Sequence, residues 1–260
     1  FFTEMGVTVR KIPTTTKTLG DSIKDAKLLW LESPANPGLD VCDIAALAEE
    51  AHESGALVAV DNTTATVLGQ CPLELGADFS MASDTKAMTG HSDLILGHVA
   101  VRDQTLADKL LSWRTQMGAV AGPMEVWLAH RSLATLELRL DRQCGNSLKI
   151  AEYLKTRTEV TALRYPGLPD DPAHEIASRQ MNYFGSIVSF VLEDKMRADR
   201  FLQSCKLIFE ASSFGGLHTS AERRARWGGD EIPEGFIRLS VGCEDSRDLI
   251  EDIGQALDAI

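Results

Sequence analysis

Leu57-Val58-Ala59-Val60-Asp61, followed some residues later by Phe79-Ser80-Met81-Ala82-Ser83-Asp84-Thr85-Lys86, decides how this chain is read. Leu57 to Val60 is a short apolar run and reads as a buried strand that delivers Asp61 at its carboxyl end. Leu73 to Leu75 suggests a short helix, and Phe79 to Ala82 a further strand ending at Ser83. Upstream, Leu28-Leu29-Trp30-Leu31 is another apolar run, followed by Glu32-Ser33-Pro34-Ala35-Asn36-Pro37-Gly38, a loop by composition. Next comes a helical pattern with Val41, Ile44, Ala45, Leu47, Ala48 and Ala51 on one side, Asp40 and Asp43 in its first turn and Gly55 at its end. Leu94 to Val101 is one more strand candidate. Strand, helix, strand with both sheet faces covered is the parallel α/β pattern, whose ligands bind at the carboxyl ends of the strands. Asn36, Asp61, Ser83 and Lys86 all fall just after predicted strands, which gathers four polar side chains at one edge of one sheet.

Ser83-Asp84-Thr85-Lys86 puts an amine behind two hydroxyls. A lysine amine condenses with an aldehyde, and the Ser83 and Thr85 hydroxyls suit a phosphate on the same molecule. Asp61 suits the nitrogen of a pyridine ring, which a carboxylate keeps protonated. The cofactor with aldehyde, pyridine and phosphate is pyridoxal phosphate. The tetrad alone is a weak signal, because similar strings occur by chance; its place after a strand, with Asp61 on the neighbouring one, strengthens it.

The chain also resembles the cysteine and methionine metabolism family of pyridoxal-phosphate enzymes, the cystathionine γ-lyase and cystathionine γ-synthase group. The matching strings are Leu31-Glu32-Ser33-Pro34-Ala35-Asn36-Pro37, Val60-Asp61-Asn62-Thr63, Pro72-Leu73-Glu74-Leu75-Gly76-Ala77-Asp78, Ser83-Asp84-Thr85-Lys86, Gly90-His91-Ser92-Asp93, Ser213-Phe214-Gly215-Gly216 and Ile237-Arg238-Leu239-Ser240-Val241-Gly242. Their order and spacing fit the family over nearly the whole chain. The resemblance implies an aspartate-aminotransferase-like large domain (fold type I), incomplete at its N-terminus, over residues 1–131, and a smaller α+β domain over 132–260. Family members carry roughly another third of a chain before this one begins, and Phe1 to Pro13 resembles the middle of the large domain. That third would hold a glycine-rich turn for the phosphate, a tyrosine stacking on the ring and an arm reaching a neighbouring subunit. The tyrosines here, Tyr153, Tyr165 and Tyr183, all follow Lys86. The sequence is therefore expected to be a fragment, or to have a separate chain or segment supplying its front.

Composition agrees with a soluble, cytoplasmic enzyme. At 260 residues the chain can bury a large core. A net charge of −12 argues against nucleic acid and anionic membrane as partners. The first residues do not read as a signal peptide, and no long uncharged apolar segment occurs in the sequence. Cys42, Cys71, Cys144, Cys205 and Cys243 are scattered, show no metal-type spacing, and read as reduced thiols. In the second half, a helical stretch with Leu106, Leu110 and Trp113 leads to a longer one from about Glu125 to Tyr153. Val160 to Tyr165, Ile187 to Leu192 and Phe236 to Val241 read as strands, and Ala198 to Cys205 and Asp248 to Leu257 as helices.

Each site residue has an alternative reading. Lys86 suits a solvated surface lysine, Asp61 a strand-end cap and Ser83 and Thr85 local turns; Asn36, which the resemblance places near cofactor and substrate, suits a turn before Pro37, and Thr63 either packing beneath the ring or a buried strand position. His91 and Asp93 read as mainly structural, and Arg223-Arg224-Ala225-Arg226 as a solvated loop. Arg238 is the better anion site: its fork fits the carboxylate of an amino acid substrate, the role the resemblance implies, with Ser213 nearby. A surface ion pair is its alternative. Two departures stand out. The family's Ser-Ala-Thr-Lys has Asp84 in its second place, and the glutamate of Ser-Leu-Gly-Gly-x-Glu-Ser, which helps read the distal end of the substrate, is His218 here. The string Glu222 to Asp230 resembles bacterial members labelled cystathionine γ-lyases. The expected activity is γ-elimination of cystathionine by a homotetramer, with Lys86 removing the α-proton. γ-Replacement on O-activated homoserine (a γ-synthase), methionine γ-lyase activity and a non-catalytic remnant that binds cofactor or partner subunits are the alternatives. A hydride-transferring enzyme is disfavoured, since no Gly-x-Gly-x-x-Gly occurs.

Overall fold

Strands β1 (Leu28–Glu32) and β2 (Leu57–Asp61) run parallel with Glu32 opposite Asp61, and β2 runs parallel to β3 (Phe79–Ser83). The computed structural model describes residues 2–228 and 231–260. The first residue of the Phe1–Pro13 segment and Gly229-Asp230 of the string from Glu222 lie outside the described residues. The crossover from β1 to β2 is helix α1 (Ile44–Glu53). Asp43 is its N-cap, accepting from the Ala46 amide, whereas Asp40 lies before the helix and pairs with Arg164. Gly55 closes it with φ +76, a conformation that favours glycine. Ile44, Leu47, Ala48 and Ala51 pack against Leu29, Leu31, Val58 and Val60 of the sheet. Each large aliphatic side chain buried in this way contributes about 1.5–3 kcal/mol.

From β2 the chain passes through the single turn α2 (Thr66–Gly69) and a 3-10 turn at Pro72–Glu74 into β3. Strand β4 (Gly97–Val101) returns antiparallel to β3, completing the order β1-β2-β3-β4. The link from β3 to β4 contains no crossover helix, so the fourth strand reverses direction. It is shorter than the expected Leu94–Val101, because Leu96 bonds to the Thr85 loop instead. The sheet departs from sequence expectation in a second way. Its face opposite α1 is not covered by the described residues: Leu28, Trp30, Leu57 and Val99 are exposed there.

Helix α3 (Gln104–Met117) buries no residue, and Trp113 is 58 % exposed despite its place in the apolar pattern. The long helix expected from Glu125 to Tyr153 is two, α4 (Pro123–Leu133) and α5 (Leu136–Leu154), with a break at Ala134-Thr135. Beyond them lies a second sheet with strand order β5-β6-β9-β8-β7, formed by β5 (Thr161–Arg164), β6 (Ile187–Val191), β7 (Phe209–Glu210), β8 (Ser220–Arg223) and β9 (Phe236–Ser240). Helices α6 (His174–Gln180), α7 (Lys195–Ser204) and α8 (Ser246–Leu257) complete the chain. The core of this layer is formed by Ile150 and Leu154 of α5, Phe190 of β6, Phe201 of α7, Leu239 of β9 and Ile253 of α8.

The two sheets meet through buried polar contacts. Gln180 of α6 donates to Gln70 and to the Cys42 carbonyl, Gln70 donates to Asn62 and to the Ser33 carbonyl, and Ser189 of β6 donates to the Pro37 carbonyl. These bonds tie the loops after β1 and β2 to the second layer, which positions the site described next. Among the described residues no helix is long and apolar enough to cross a membrane.

Candidate active site

The carboxyl ends of β1, β2 and β3 lie side by side and present Asn36, Asp61 and the turn from Ser83 to Gly90. That turn is a closed coil. The Lys86 amide donates to the Ser83 carbonyl, the Thr89 amide to the Asp84 carbonyl, and the Gly90 amide to the Lys86 carbonyl. Asp61 Oδ1 accepts from the Thr63 amide at 2.9 Å, and Thr63 Oγ1 accepts from the Ser83 amide at 2.8 Å. Thr63 therefore links the β2 loop to the end of β3. Oδ2 of Asp61 and the Ser83 hydroxyl have no protein partner among the described residues. Thr85 differs: its hydroxyl donates to the Leu96 carbonyl and accepts from the Leu96 amide, so its one proton is already committed to the loop.

The second layer supplies the facing wall. Gly215, at φ +82, approaches so closely that a Cβ there would lie 2.5 Å from the Ala87 nitrogen. This approach brings Ser213 to Lys86, whose Nζ donates to Ser213 Oγ at 2.9 Å. The Phe214 ring lies 5.0 Å from Lys86 Nζ and 5.0 Å from Arg238 Cζ. Burial lowers the Lys86 pKa, the Arg238 charge lowers it further, and Glu222 opposes both. The shift enlarges the neutral fraction of the amine.

Arg238 is in a buried ion pair, not the surface pair weighed from sequence. Its Nη2 lies 2.5 Å from Glu222 Oε1 and donates to the Ser212 carbonyl at 2.6 Å, while Nη1 donates to Asn36 Oδ1 at 2.7 Å. Glu222 is completely buried and also accepts from the Trp227 indole at 2.7 Å. The arginine string is likewise not a solvated loop. Arg223 is buried and pairs with Asp199 and Glu234, Arg224 lies 3.7 Å from Glu222, and Arg226 pairs with Glu210. His218 is not brought to this cluster: it is 81 % exposed, with Glu244 at 3.9 Å. His91 is bonded to the Thr89 carbonyl and Ser132, as a structural residue would be.

Apolar periodicity missed one stripe that shapes the site. Arg139, Gln143 and Asn146 share a face of α5 and are all buried. Arg139 donates to the carbonyls of Ala87, Met88 and Ser132, which clamps the turn immediately after Lys86. Gln143 donates to the Gly216 and Val241 carbonyls, and Asn146 to those of Gly242 and Glu244. A run of polar residues at helical spacing is the signal that was available. Burial pushes the thiols of Cys144 and Cys205 up to about 12 and that of Cys42 to about 11, so these three stay protonated near neutrality.

A desolvated lysine, a carboxylate with an oxygen to spare and an unbonded hydroxyl at a sheet edge define a site suited to aldehyde-cofactor chemistry. The chain belongs to the family described as Cys/Met metabolism PLP-dependent enzyme, which it matches over residues 1–258. It is 60 % identical over 253 residues to a Streptomyces coelicolor protein provisionally named cystathionine gamma-lyase, an alignment covering 97 % of this chain and 64 % of that protein. It is 41 % identical to the cystathionine gamma-synthase of Mycobacterium bovis, covering 89 % and 62 % of the two chains. The solved apo structure of CalE6, a methionine gamma lyase from Micromonospora echinospora, superposes with a TM-score of 0.86 at 42 % identity over 89 % of this chain and 63 % of that one. The chain thus spans under two thirds of the length of these relatives.

Proposed function

We propose that the protein carrying this chain is a pyridoxal-phosphate-dependent carbon–sulfur lyase whose preferred substrate is cystathionine, cleaved with water to cysteine, 2-oxobutanoate and ammonia. The observation that carries this reading is the meeting of a desolvated Lys86 amine with Ser213 and Arg238 at the sheet edge that holds Asp61. The S. coelicolor relative supports the choice of cystathionine.

The donor set fits the cofactor. Lys86 would bond its aldehyde carbon, Asp61 Oδ2 would face its ring nitrogen, Ser83 would donate to its phosphate, and Thr63 and Asn36 would line the ring. Thr85 supports this set by holding the loop. When bound, pyridoxal phosphate supplies an electron sink for the pair left behind as the substrate loses its α-proton. Lys86 Nζ, free once the substrate's own amine has taken its place, takes that proton, favoured by its lowered pKa, and Ser213 Oγ holds the amine in place. A second proton leaves the β-carbon, and the γ-sulfur takes up one proton as it departs as cysteine, so the two transfers balance. Arg238 receives the substrate carboxylate by exchanging Asn36 Oδ1 for a carboxylate oxygen at Nη1, while Glu222 keeps hold of Nη2.

The two sheets support a division into a cofactor domain, 1–131, and a smaller domain, 132–260. The open face at Leu28, Trp30 and Val99, and the exposed Trp113, Met117 and Trp127, support burial against a further segment and a homo-oligomer, a tetramer in this reading. A cytoplasmic location goes with free cysteines and the absence of a membrane-spanning helix among the described residues.

The M. bovis relative favours γ-replacement as the second reading. Steady-state kinetics of the full-length protein decides between them. The highest kcat/KM should be on cystathionine alone. Turnover confined to O-activated homoserine plus cysteine would make it a synthase, and cofactor binding without turnover would make it a remnant.

A further inference from the structure

The departure at Asp84 has a structural partner. Asp84 is buried at 7 % exposure, and its Oδ1 lies 2.7 Å from Nδ1 of His98 on β4. His98 stands opposite Ala82, the residue before Ser83. The Asp84 carbonyl is held as well, accepting from the Thr89 amide at 3.1 Å and from the Thr89 hydroxyl at 2.6 Å. Side chain and main chain of Asp84 therefore fasten opposite ends of the Lys86 turn: one to β4, the other to Thr89.

We propose that Asp84 and His98 form a positioning couple for Lys86, in which the buried carboxylate ties the lysine-bearing turn to β4 through the imidazole. This inference rests on the cofactor role given to Lys86 above. A buried carboxylate is costly without a cation, and His98 supplies one when protonated. The hydrogen bond that His98 donates to Asp84 is the main cause that raises the His98 pKa; partial burial opposes it, and the Asp84 charge adds to the rise. Helix α3, packed on β4, carries Asp108, Lys109 and Arg114, and none of them pairs with His98. Arg139, which clamps the same turn from α5, engages carbonyls and leaves Asp84 to His98. The sign follows from the raised pKa. The ionic part of the couple is fully present below the ordinary histidine value and is lost as pH rises through the folded value. Neutral His98 then holds Asp84 by a hydrogen bond alone.

Asp84→Ala introduces the alanine of the family string and is expected to fold. The test measures cofactor dissociation constant and thermal midpoint against pH, in full-length wild type, Asp84→Ala, Asp84→Asn and His98→Gln. In the wild type both should weaken as pH rises above about 6.5, with cofactor affinity falling about three- to tenfold across the step. The step should vanish in all three variants, while Asp84→Asn, which still accepts the imidazole hydrogen bond, should keep most of the affinity that Asp84→Ala loses. A purely structural pair would show its pH step in the thermal midpoint alone, with cofactor affinity following the same pH profile in wild type and variants. An unchanged pH step in Asp84→Ala and His98→Gln would overturn the proposal. Absence of a cofactor bond at Lys86 in the wild type would instead overturn the functional reading, and the thermal profile would still report on the couple.

Discussion

Removing Glu222 should unbalance the site more than removing any surface charge. Its side chain is fully buried, with Oε1 at 2.5 Å from Arg238 Nη2 and 3.7 Å from Arg224, and Oε2 accepting the Trp227 indole. The close Arg238 contact is not aligned as a hydrogen bond to Oε1, so it acts mainly through charge. Glu222→Ala leaves the Arg238 guanidinium, 2 % exposed, beside the Lys86 amine with its counter-charge gone. Breaking such a buried pair costs about 3–5 kcal/mol. At about 2–4 °C per kcal/mol for a domain of this size, the midpoint should drop by about 6–20 °C. The Lys86 pKa should fall further, since Glu222 is the group that raises it. Glu222→Gln keeps the shape and should fall between wild type and alanine. The double variant Glu222→Leu, Arg238→Met removes both charges and should recover most of the stability. Urea and thermal unfolding of full-length protein measure all of these. A loss under about 1 kcal/mol in Glu222→Ala, or a double variant as unstable as the single, would refute the buried-pair reasoning.

Asp61→Asn should keep the fold, because its amide oxygen still accepts from Thr63, yet lose deprotonation chemistry; each unit of pKa lost at the ring nitrogen is worth about 1.4 kcal/mol, and wild-type turnover with cofactor bound would refute the role. Arg139→Met removes three carbonyl contacts and should cost about 3 kcal/mol or more in unfolding experiments, with loosened cofactor binding. His218→Glu should move stability by less than about 1 kcal/mol and leave the cystathionine-to-methionine ratio of kcat/KM unchanged, because the ring is exposed and pairs with Glu244 rather than with the Lys86 cluster; a large change in that ratio would return it to the distal-recognition role.

The parallel strands and their polar ends were legible because short apolar runs followed by Asp61 and Ser83 admit few other structures. The direction of β4 was not, since a strand's composition carries no sign of its orientation. The break between α4 and α5 was missed because Ala134-Thr135 contains neither glycine nor proline. The open sheet face was invisible because burial depends on what else packs there. Among the candidate site residues, residue chemistry points to Lys86 and Asp61, and motif to Ser213 and Arg238. Glu222 and Arg139 escaped because buried charges are recognised by their partners, and those partners are distant in sequence. Asp84 stands out in the sequence as a departure, but its partner does not, since His98 lies on a different strand and only the β3–β4 register joins them.

The account stands most directly on Lys86 as the residue that bonds the cofactor. Borohydride reduction of the full-length protein with pyridoxal phosphate, followed by peptide mapping, should place the pyridoxyl mass on the peptide containing Ser83-Asp84-Thr85-Lys86, and Lys86→Ala should abolish it. A label on any other lysine, or none, would contradict the assignment.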